Sequence, residues 1–323
     1  MKKMVNEVKI IGRLYSADLK EAVVQNKESS VFGKNYMNGT IHIATDEEGL
    51  NVVPITFTFV TDTTKVGKPN PTYANLKKIM ADESIKTVSK DGKDAATIVE
   101  VRGSQLAVDD RYITTSNEFK AWTNNSGGFV SFKTKNDLPA AEEDRNSFDA
   151  DIVITSFNRV PEDSEKNIPE HGIVHGAIFN SFNNSILPVD FKVTNSGGID
   201  YFEGLGVSNS NPVFTKVHGM VVNNRVVTQT EESSAFGKPI IKTTTKTTRD
   251  WVITSAIENP YDFGAEGVLT AEELTKAMQD REIHLAKVKK DAEDYAAKKN
   301  SNSSSGGPTA PAVGAVATGA FKF

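Results

Sequence analysis

Four short segments of the chain place an aromatic side chain beside a lysine. Aromatic rings stack on nucleobases and lysines neutralise phosphates, so this pattern is typical of proteins that bind single-stranded nucleic acid. The segment Phe32-Gly33-Lys34-Asn35-Tyr36 shows it most clearly, with one cation between two aromatic residues. The other candidate binding residues are Phe119, Lys120 and Trp122, then Phe132, Lys133 and Lys135, and finally Phe236, Lys238, Lys242 and Lys246.

These segments also have structural interpretations that the sequence leaves open. Phe32 and Phe236 could simply fix two hairpins onto the rest of the fold. Lys242 and Lys246 share one face of a strand and could protect a sheet edge from pairing with another chain. Trp122 stands among Asn, Ser and Gly residues rather than in an apolar run, which makes it the strongest stacking candidate.

Residues that could catalyse a reaction or bind a metal are sparse. The chain has no cysteine, which excludes disulfides, thiolate metal sites and thiol nucleophiles. His171 and His175 are four residues apart, but a glycine follows each of them and breaks the helix that such a metal pair needs. The carboxylates of residues 142–144 form a run typical of a solvated loop. We therefore expect no enzyme activity, no metal site and no cofactor.

Charge is distributed unevenly along the 323 residues. There are 37 Lys and Arg against 42 Asp and Glu, a net charge of −5. The net charge is −1 over residues 1–160, −4 over residues 161–265 and zero over residues 266–323. A chain without a basic domain is not expected to coat duplex DNA through phosphate contacts. Nucleic-acid binding would instead depend on base stacking beside a few local cations.

The organisation of residues 5–258 is mainly β. Alternating apolar and polar residues predict strands at 8–20, 36–45, 51–60, 97–108 and 148–157, with a helix at 71–81. Five strands with a helix after the third are the arrangement of an OB-fold. Further strands are predicted at 172–182, 188–194, 199–207, 214–228 and 240–255, without a helix. Trp251 lies in the last of them, in an apolar run, and is expected in the core.

One seven-residue word occurs twice with a single difference. Residues 28–34 read ESSVFGK and residues 232–238 read ESSAFGK, each between two β-prone runs. The first copy joins strands one and two of its unit, whereas the second joins strands four and five. The repeated sequence therefore favours a long β-arm of the same kind on each barrel over a simple tandem duplication.

The C-terminal part of the chain changes character. Thr270 and Glu273 form a capping box that opens an Ala-, Glu- and Lys-rich helix. Apolar residues follow heptad spacing interrupted by Arg281, which fits a helix docked on the preceding domain, a short oligomerising coiled coil or a solvated helix. Residues 301–323 are small and polar and predict a disordered tail, whose Phe321 and Phe323 could bind a partner. The predicted domains are 1–160, 161–265, the helix at 266–300 and this tail.

Two segments resemble bacterial single-stranded-DNA-binding proteins. Residues 6–14 (NEVKIIGRL) are similar to their first strand, which opens with Asn, a β-run and Gly-x-Leu, and residues 99–106 are similar to their fourth. Aromatic residues then precede a last β-run, as in the family, at Phe119, Trp122, Phe129 and Phe132. The tip Gly-Ala-Phe-Lys-Phe departs from the family's acidic tip, and a second β domain is added. Both departures are more like a phage-encoded relative.

The resulting hypothesis is a mainly β protein with two OB-like five-stranded barrels, a C-terminal helix and a disordered tail. The resemblance implies that it binds single-stranded DNA without catalysis and protects unpaired strands during replication or recombination. Two alternatives stay open: a virion structural or assembly protein that uses its barrels to bind protein, and a replication adaptor without DNA contact. Because residues 1–12 do not form a signal peptide and no long apolar run occurs, a cytoplasmic location without membrane contact is expected, in a bacterial host if the protein is viral. The oligomeric state is open.

Overall fold

The computed structural model describes residues 4–165, 168–180, 185–208, 210–232, 240–265 and 268–303. As predicted, the protein is mainly β. The strands are β1 (Asn6–Val23), β2 (Asn35–Ala44), β3 (Val52–Thr61), β4 (Ile98–Ile113), β5 (Glu118–Ser126), β6 (Phe129–Lys133), β7 (Asn146–Val160), β8 (His171–Phe179), β9 (Ile186–Val193), β10 (Val213–Glu232) and β11 (Ile240–Ala256). The helices are α1 (Pro71–Ala81), the short α2 (Val88–Asp91), α3 (Ser196–Gly204) and α4 (Ala271–Ser303), and two 3₁₀ turns precede β7.

The first barrel is formed by β1 to β5. Its strands neighbour one another in the order β1-β2-β3-β5-β4, and β4 pairs back with β1 to close the circuit. The pairing of β3 with β5 is parallel, through Thr56 and Ser126, whereas the other pairings are antiparallel. Helix α1 lies between β3 and β4 in the chain. This is the topology of an OB-fold, as expected from the sequence.

The second barrel repeats this plan with β7 to β11. Its circuit is β7-β8-β9-β11-β10, and β10 pairs back with β7. Again one pairing is parallel, between β9 and β11. Helix α3 lies between the third and fourth strands, as α1 does in the first barrel. The prediction of two OB-like barrels is thereby confirmed.

Two strand assignments made from the sequence are wrong. The fifth strand of the first barrel is β5, and residues 148–157 belong to β7, which opens the second barrel. Residues 199–207, predicted as a strand, lie largely in α3. Asn195 caps this helix by accepting a hydrogen bond from the backbone N–H of Gly198 at 2.5 Å, and the glycines after Ser196 had hidden its start. The strand circuit of the second barrel begins with β7 at Asn146. The domain limits given from the sequence remain a prediction.

The two barrels form one continuous sheet. The start of β1 pairs antiparallel with the start of β7, from Asn6 opposite Ala150 to Ile10 opposite Asn146. One apolar core runs through both barrels, with Phe57 and Leu76 in the first and Phe191 in the second. The two barrels are therefore joined by backbone hydrogen bonds between β1 and β7 as well as by apolar packing.

Helix α4 is docked on the folded part of the chain. Its capping box is present, because Thr270 Oγ1 accepts from the N–H of Glu273 and the Glu273 carboxylate accepts from the N–H of Thr270, both at 3.1 Å. Leu269 and Ala277 are buried against the second barrel. Met278 and Tyr295, two of the predicted heptad positions, are more than half exposed. No described helix is both long enough and apolar enough to cross a membrane.

Candidate nucleic-acid interface

An aromatic pair lies on the outer face of β2 and β3 in the first barrel. On β2, Tyr36 alternates with the buried Met37, so its ring points away from the core. A shift in the pairing of β2 with β3 turns Phe59 outward, and half of its surface is exposed. The two ring centroids are 4.8 Å apart. This face of an OB-fold is the one on which oligonucleotides bind.

The connection between β1 and β2 presents Phe32 and Lys34 at the edge of that face. Gly33 has φ +78°, a left-handed conformation that glycine adopts without strain, and its N–H donates to the carbonyl of Val24 at 3.0 Å. Phe32 exposes half of its surface at this turn, and Lys34 is partly exposed. The exposure of Phe32 leaves its ring accessible to a base.

The hairpin of β4 and β5 carries Trp122 on one face. The Cζ of Arg111 lies 5.3 Å from the centroid of the Trp122 ring, within the range of a cation–π interaction, and Asp109 accepts from Arg111 at 2.8 Å. Trp122 is four residues from Ser126, the partner of Thr56 in β3. Because alternate residues of a strand share a face, Trp122 lies on the same side of the sheet as the outer face of β3.

Lys120 and Phe119 lie on opposite faces of this hairpin. Lys120 pairs with Arg111 across the strands and shares the face of Trp122, and it is exposed. Phe119 pairs with Tyr112 on the other side, with ring centroids 4.9 Å apart. The structure therefore brings Lys120 and Trp122 together and separates Phe119 from them.

The predicted group at 132–135 is placed differently from the rest. Phe132 is partly buried against the core. Lys133 Nζ lies 3.1 Å from a carboxylate oxygen of Glu100, a nearly fully buried residue that also pairs with Arg102 at 2.7 Å. Burial alone would raise the pKa of Glu100, but the hydrogen bonds from Arg102 and Lys133 outweigh burial and hold this pKa below its usual value. Lys133 thus neutralises Glu100, while Lys135 is exposed.

The remaining predicted residues are described in part or not at all. Lys242 and Lys246 lie in β11, opposite Thr230 and Val226, and only their backbone is described. Phe236 and Lys238, and the tail residues Phe321 and Phe323, lie outside the described residues.

The base of the β10–β11 hairpin reaches the first barrel. Asn51 Oδ1, next to the start of β3, accepts from the N–H of Asn223 at 2.8 Å, and Asn223 Oδ1 accepts from Arg249 Nε at 3.2 Å. His42 lies on the outer side of β2, where burial first and the charge of Arg249 second lower its pKa. The second barrel therefore supplies a cation at one end of the outer face of β2.

The corresponding face of the second barrel is occupied by polar contacts between side chains. His175 Nδ1 of β8 lies 2.6 Å from the Asp190 carboxylate of β9, and Lys192 Nζ lies 3.6 Å from the Asp250 carboxylate. Among the described residues of β8 and β9, none is an exposed aromatic. The described part of β8 and β9 therefore has no counterpart of the Tyr36–Phe59 pair.

Comparison with known proteins identifies the family. A family model described as YorF matches residues 4–291. The chain belongs to the YorF family. No curated protein matches the sequence of this YorF-family member.

Two crystal structures of the single-stranded DNA binding protein from Thermus aquaticus resemble this YorF-family chain distantly. A deletion mutant matches with a TM-score of 0.46 and the wild type with 0.41, each at 10% sequence identity. Each match covers 82% of this chain and 98% of the other. These likenesses are too low to support an argument about the site, which depends on the geometry described above.

The predictions from the sequence missed three exposed residues of this YorF-family chain. Phe59 is hidden in an alternating apolar run, and only the shift between β2 and β3 turns it outward. Arg111 acquires its place beside Trp122 from the hairpin register. Phe129, with 73% of its surface exposed, stands on β6 across from Arg102, outside the β2–β3 face. The described residues contain no cluster of three or more His, Asp or Glu side chains that could hold a metal ion.

Proposed function

We propose that this YorF-family protein binds single-stranded DNA on the outer face of its first barrel. The observation that carries the proposal is the outward-facing aromatic pair of Tyr36 and Phe59, whose ring centroids are 4.8 Å apart. The exposed rings of Phe32, in the β1–β2 connection, and of Trp122, on β5 toward the start of β3, add to it on the same barrel. Each stacked base contributes about 1–3 kcal/mol, so three or four rings are enough for firm binding of a short segment. The role is to hold and protect unpaired strands during replication or recombination, without catalysis.

The charges on this face support a stacking-dominated mode of binding. Lys34, Lys120 and Arg111 are the cations beside the rings, and Arg249 adds one from the second barrel. The whole chain has a net charge of −5, so phosphate attraction is local rather than spread over the surface. We therefore expect a moderate dependence of affinity on salt, with a slope set by these few contacts.

A titration of the full chain with oligo-dT tests the proposal. Trp122 is 43% exposed and Trp251 only 6% exposed, so quenching of tryptophan fluorescence should come from Trp122. Trp122→Ala should weaken binding of fluorescein-labelled dT by roughly tenfold or more, whereas Trp122→Phe should retain most of the affinity but abolish the quench. Tyr295→Ala, which removes an exposed ring on α4, is the matched control.

Three results would contradict the proposal. No change in the anisotropy of labelled dT at low salt would exclude single-stranded DNA as the ligand. Equal affinities of Trp122→Ala and the unaltered chain would move the binding surface elsewhere. Stronger binding of oligo-U than of oligo-dT would identify RNA instead, since contacts to the 2′-hydroxyl distinguish the two.

A further inference from the structure

Arg281 of α4 and Asp110 of β4 form a two-pronged ion pair. Both side chains are largely buried, with 12% of Arg281 and 5% of Asp110 exposed. Nearby, Lys289 Nζ lies 5.1 Å from the centroid of the Tyr112 ring. The helix is thereby attached to the β4–β5 hairpin at two points, on the face opposite Trp122.

The same helix is fixed at its start to the second barrel. Leu269 and Ala277 are buried in an apolar cluster with Phe179 and Phe214. At 1.5 Å per residue, the distance along the helix from Ala277 to Lys289 is about 18 Å. Helix α4 therefore connects the second barrel with the hairpin of the first.

The outer part of the β4–β5 hairpin has little other support. Within the described residues, β5 pairs with β3 only at Ser126, and β6 covers β4 only from Ile98 to Arg102. From Ala107 onward the two strands pair only with each other. An isolated two-stranded hairpin is marginally stable in water, so its position depends on what it packs against. That support comes from α4.

We propose that α4 is a brace for the β4–β5 hairpin and that Arg281 is a positioning residue for the binding of single-stranded DNA. Arg281 is not expected to contact the DNA, because it lies on the face of the β4–β5 hairpin opposite Trp122. It holds the hairpin so that Trp122 and Arg111 face the outer side of β3. This inference rests on the proposed function, but its mechanical part can be measured without DNA.

Hydrogen exchange and oligo-dT affinity of Arg281→Gln, in the full chain, test the brace. The variant removes the two-pronged partner of the buried Asp110 and leaves His284 Nε2, 3.4 Å away, beside its carboxylate. Exchange of the amides of residues 107–123 should therefore accelerate about tenfold or more. Because the freed hairpin must be ordered again on binding, the affinity for dT should fall about three- to tenfold, mainly through faster dissociation. Lys276→Gln, which removes an exposed ion pair with Asp280 in the same helix, is the control and should change neither quantity.

A second variant keeps the test decisive if Arg281→Gln unfolds. The pair Asp110→Leu and Arg281→Met replaces the ion pair by apolar contact, which often preserves the packing of a buried pair. This double variant should restore slow exchange and dT affinity to within about threefold of the unaltered chain.

The outcomes separate the brace from the proposed function. Unchanged hairpin exchange in Arg281→Gln overturns the brace, and so does faster exchange with unchanged affinity, since the hairpin position would then not matter for binding. If the unaltered chain fails to bind dT while Arg281→Gln exchanges faster, α4 still supports the hairpin but the proposed DNA-binding function is wrong.

Discussion

Asn6 and Asn146 occupy equivalent places in the two barrels. Asn6 opens β1 and exchanges hydrogen bonds with the N–H and carbonyl of Leu106 in β4, both at 2.9 Å. Asn146 opens β7 and does the same with Val221 in β10, at 2.5 and 3.0 Å. In both barrels the side-chain amide thus joins the first strand to the fourth. The two barrels share this detail as well as their strand order.

These buried amides should be needed for stability. Asn146→Leu leaves the backbone N–H of Val221 without its side-chain partner, which costs about 1–3 kcal/mol. The free energy of unfolding in urea should fall by that amount, whereas Asn158→Ala, an exposed amide on the same strand, should change it by less than about 0.5 kcal/mol. Equal effects of the two changes would mean that the backbone N–H of Val221 finds another hydrogen-bond acceptor.

The shared plan of the two barrels was only partly visible in the sequence. Alternating residues identified most strands, and the capping box at Thr270 placed the start of α4. Residues 148–157 were assigned to the first barrel because β5 has the composition of a loop, Glu118–Ser126 being rich in polar residues, while β7 has the pattern of a closing strand. Besides the adjacent β8, β7 pairs with β1 and β10, which are distant in sequence, and local patterns do not report such partners.

The site was predictable as a set of residue types but not as an arrangement. Phe32, Tyr36 and Trp122 could be chosen because aromatic residues in turn-rich segments tend to be exposed. Their separation from Phe119 and the engagement of Lys133 depend on hairpin register and on Glu100 of β4, a residue 33 positions away. The role of Arg281, which interrupts a heptad pattern in the sequence, becomes clear only when Asp110 lies beside it.

Phe59→Ala and Phe129→Ala distinguish the proposed face from its surroundings. Phe59 is half exposed on the β2–β3 face, so its removal should weaken dT binding by about 1–3 kcal/mol. Phe129 is more exposed but lies on β6, and Phe129→Ala should leave the affinity unchanged in the same anisotropy assay. The reverse order of effects would place the bound strand along β6.

Salt dependence separates exposed cations from those held in an ion pair. Lys120 is exposed on the same face of the hairpin as Trp122, so Lys120→Gln should reduce the slope of log affinity against log salt concentration by about one. Lys133 is paired with the buried Glu100, so Lys133→Gln should leave the slope unchanged even if it lowers stability. If both changes reduced the slope equally, Lys133 would contact phosphates as well, as the sequence predicted.

His42 should make the fold sensitive to mild acid. Burial and then the charge of Arg249 lower its pKa from the ordinary value of 6.5, so the folded protein binds a proton at His42 less readily than the unfolded chain does. The stability that follows is fully present above pH 6.5 and is lost as the pH falls toward the folded pKa. Urea unfolding on either side of this range should therefore show a smaller acid loss for His42→Gln than for the unaltered chain. His171→Gln, which alters a partly exposed histidine at the start of β8, should not reduce that loss, and an identical pH profile for all three proteins would show that His42 does not sense the pH.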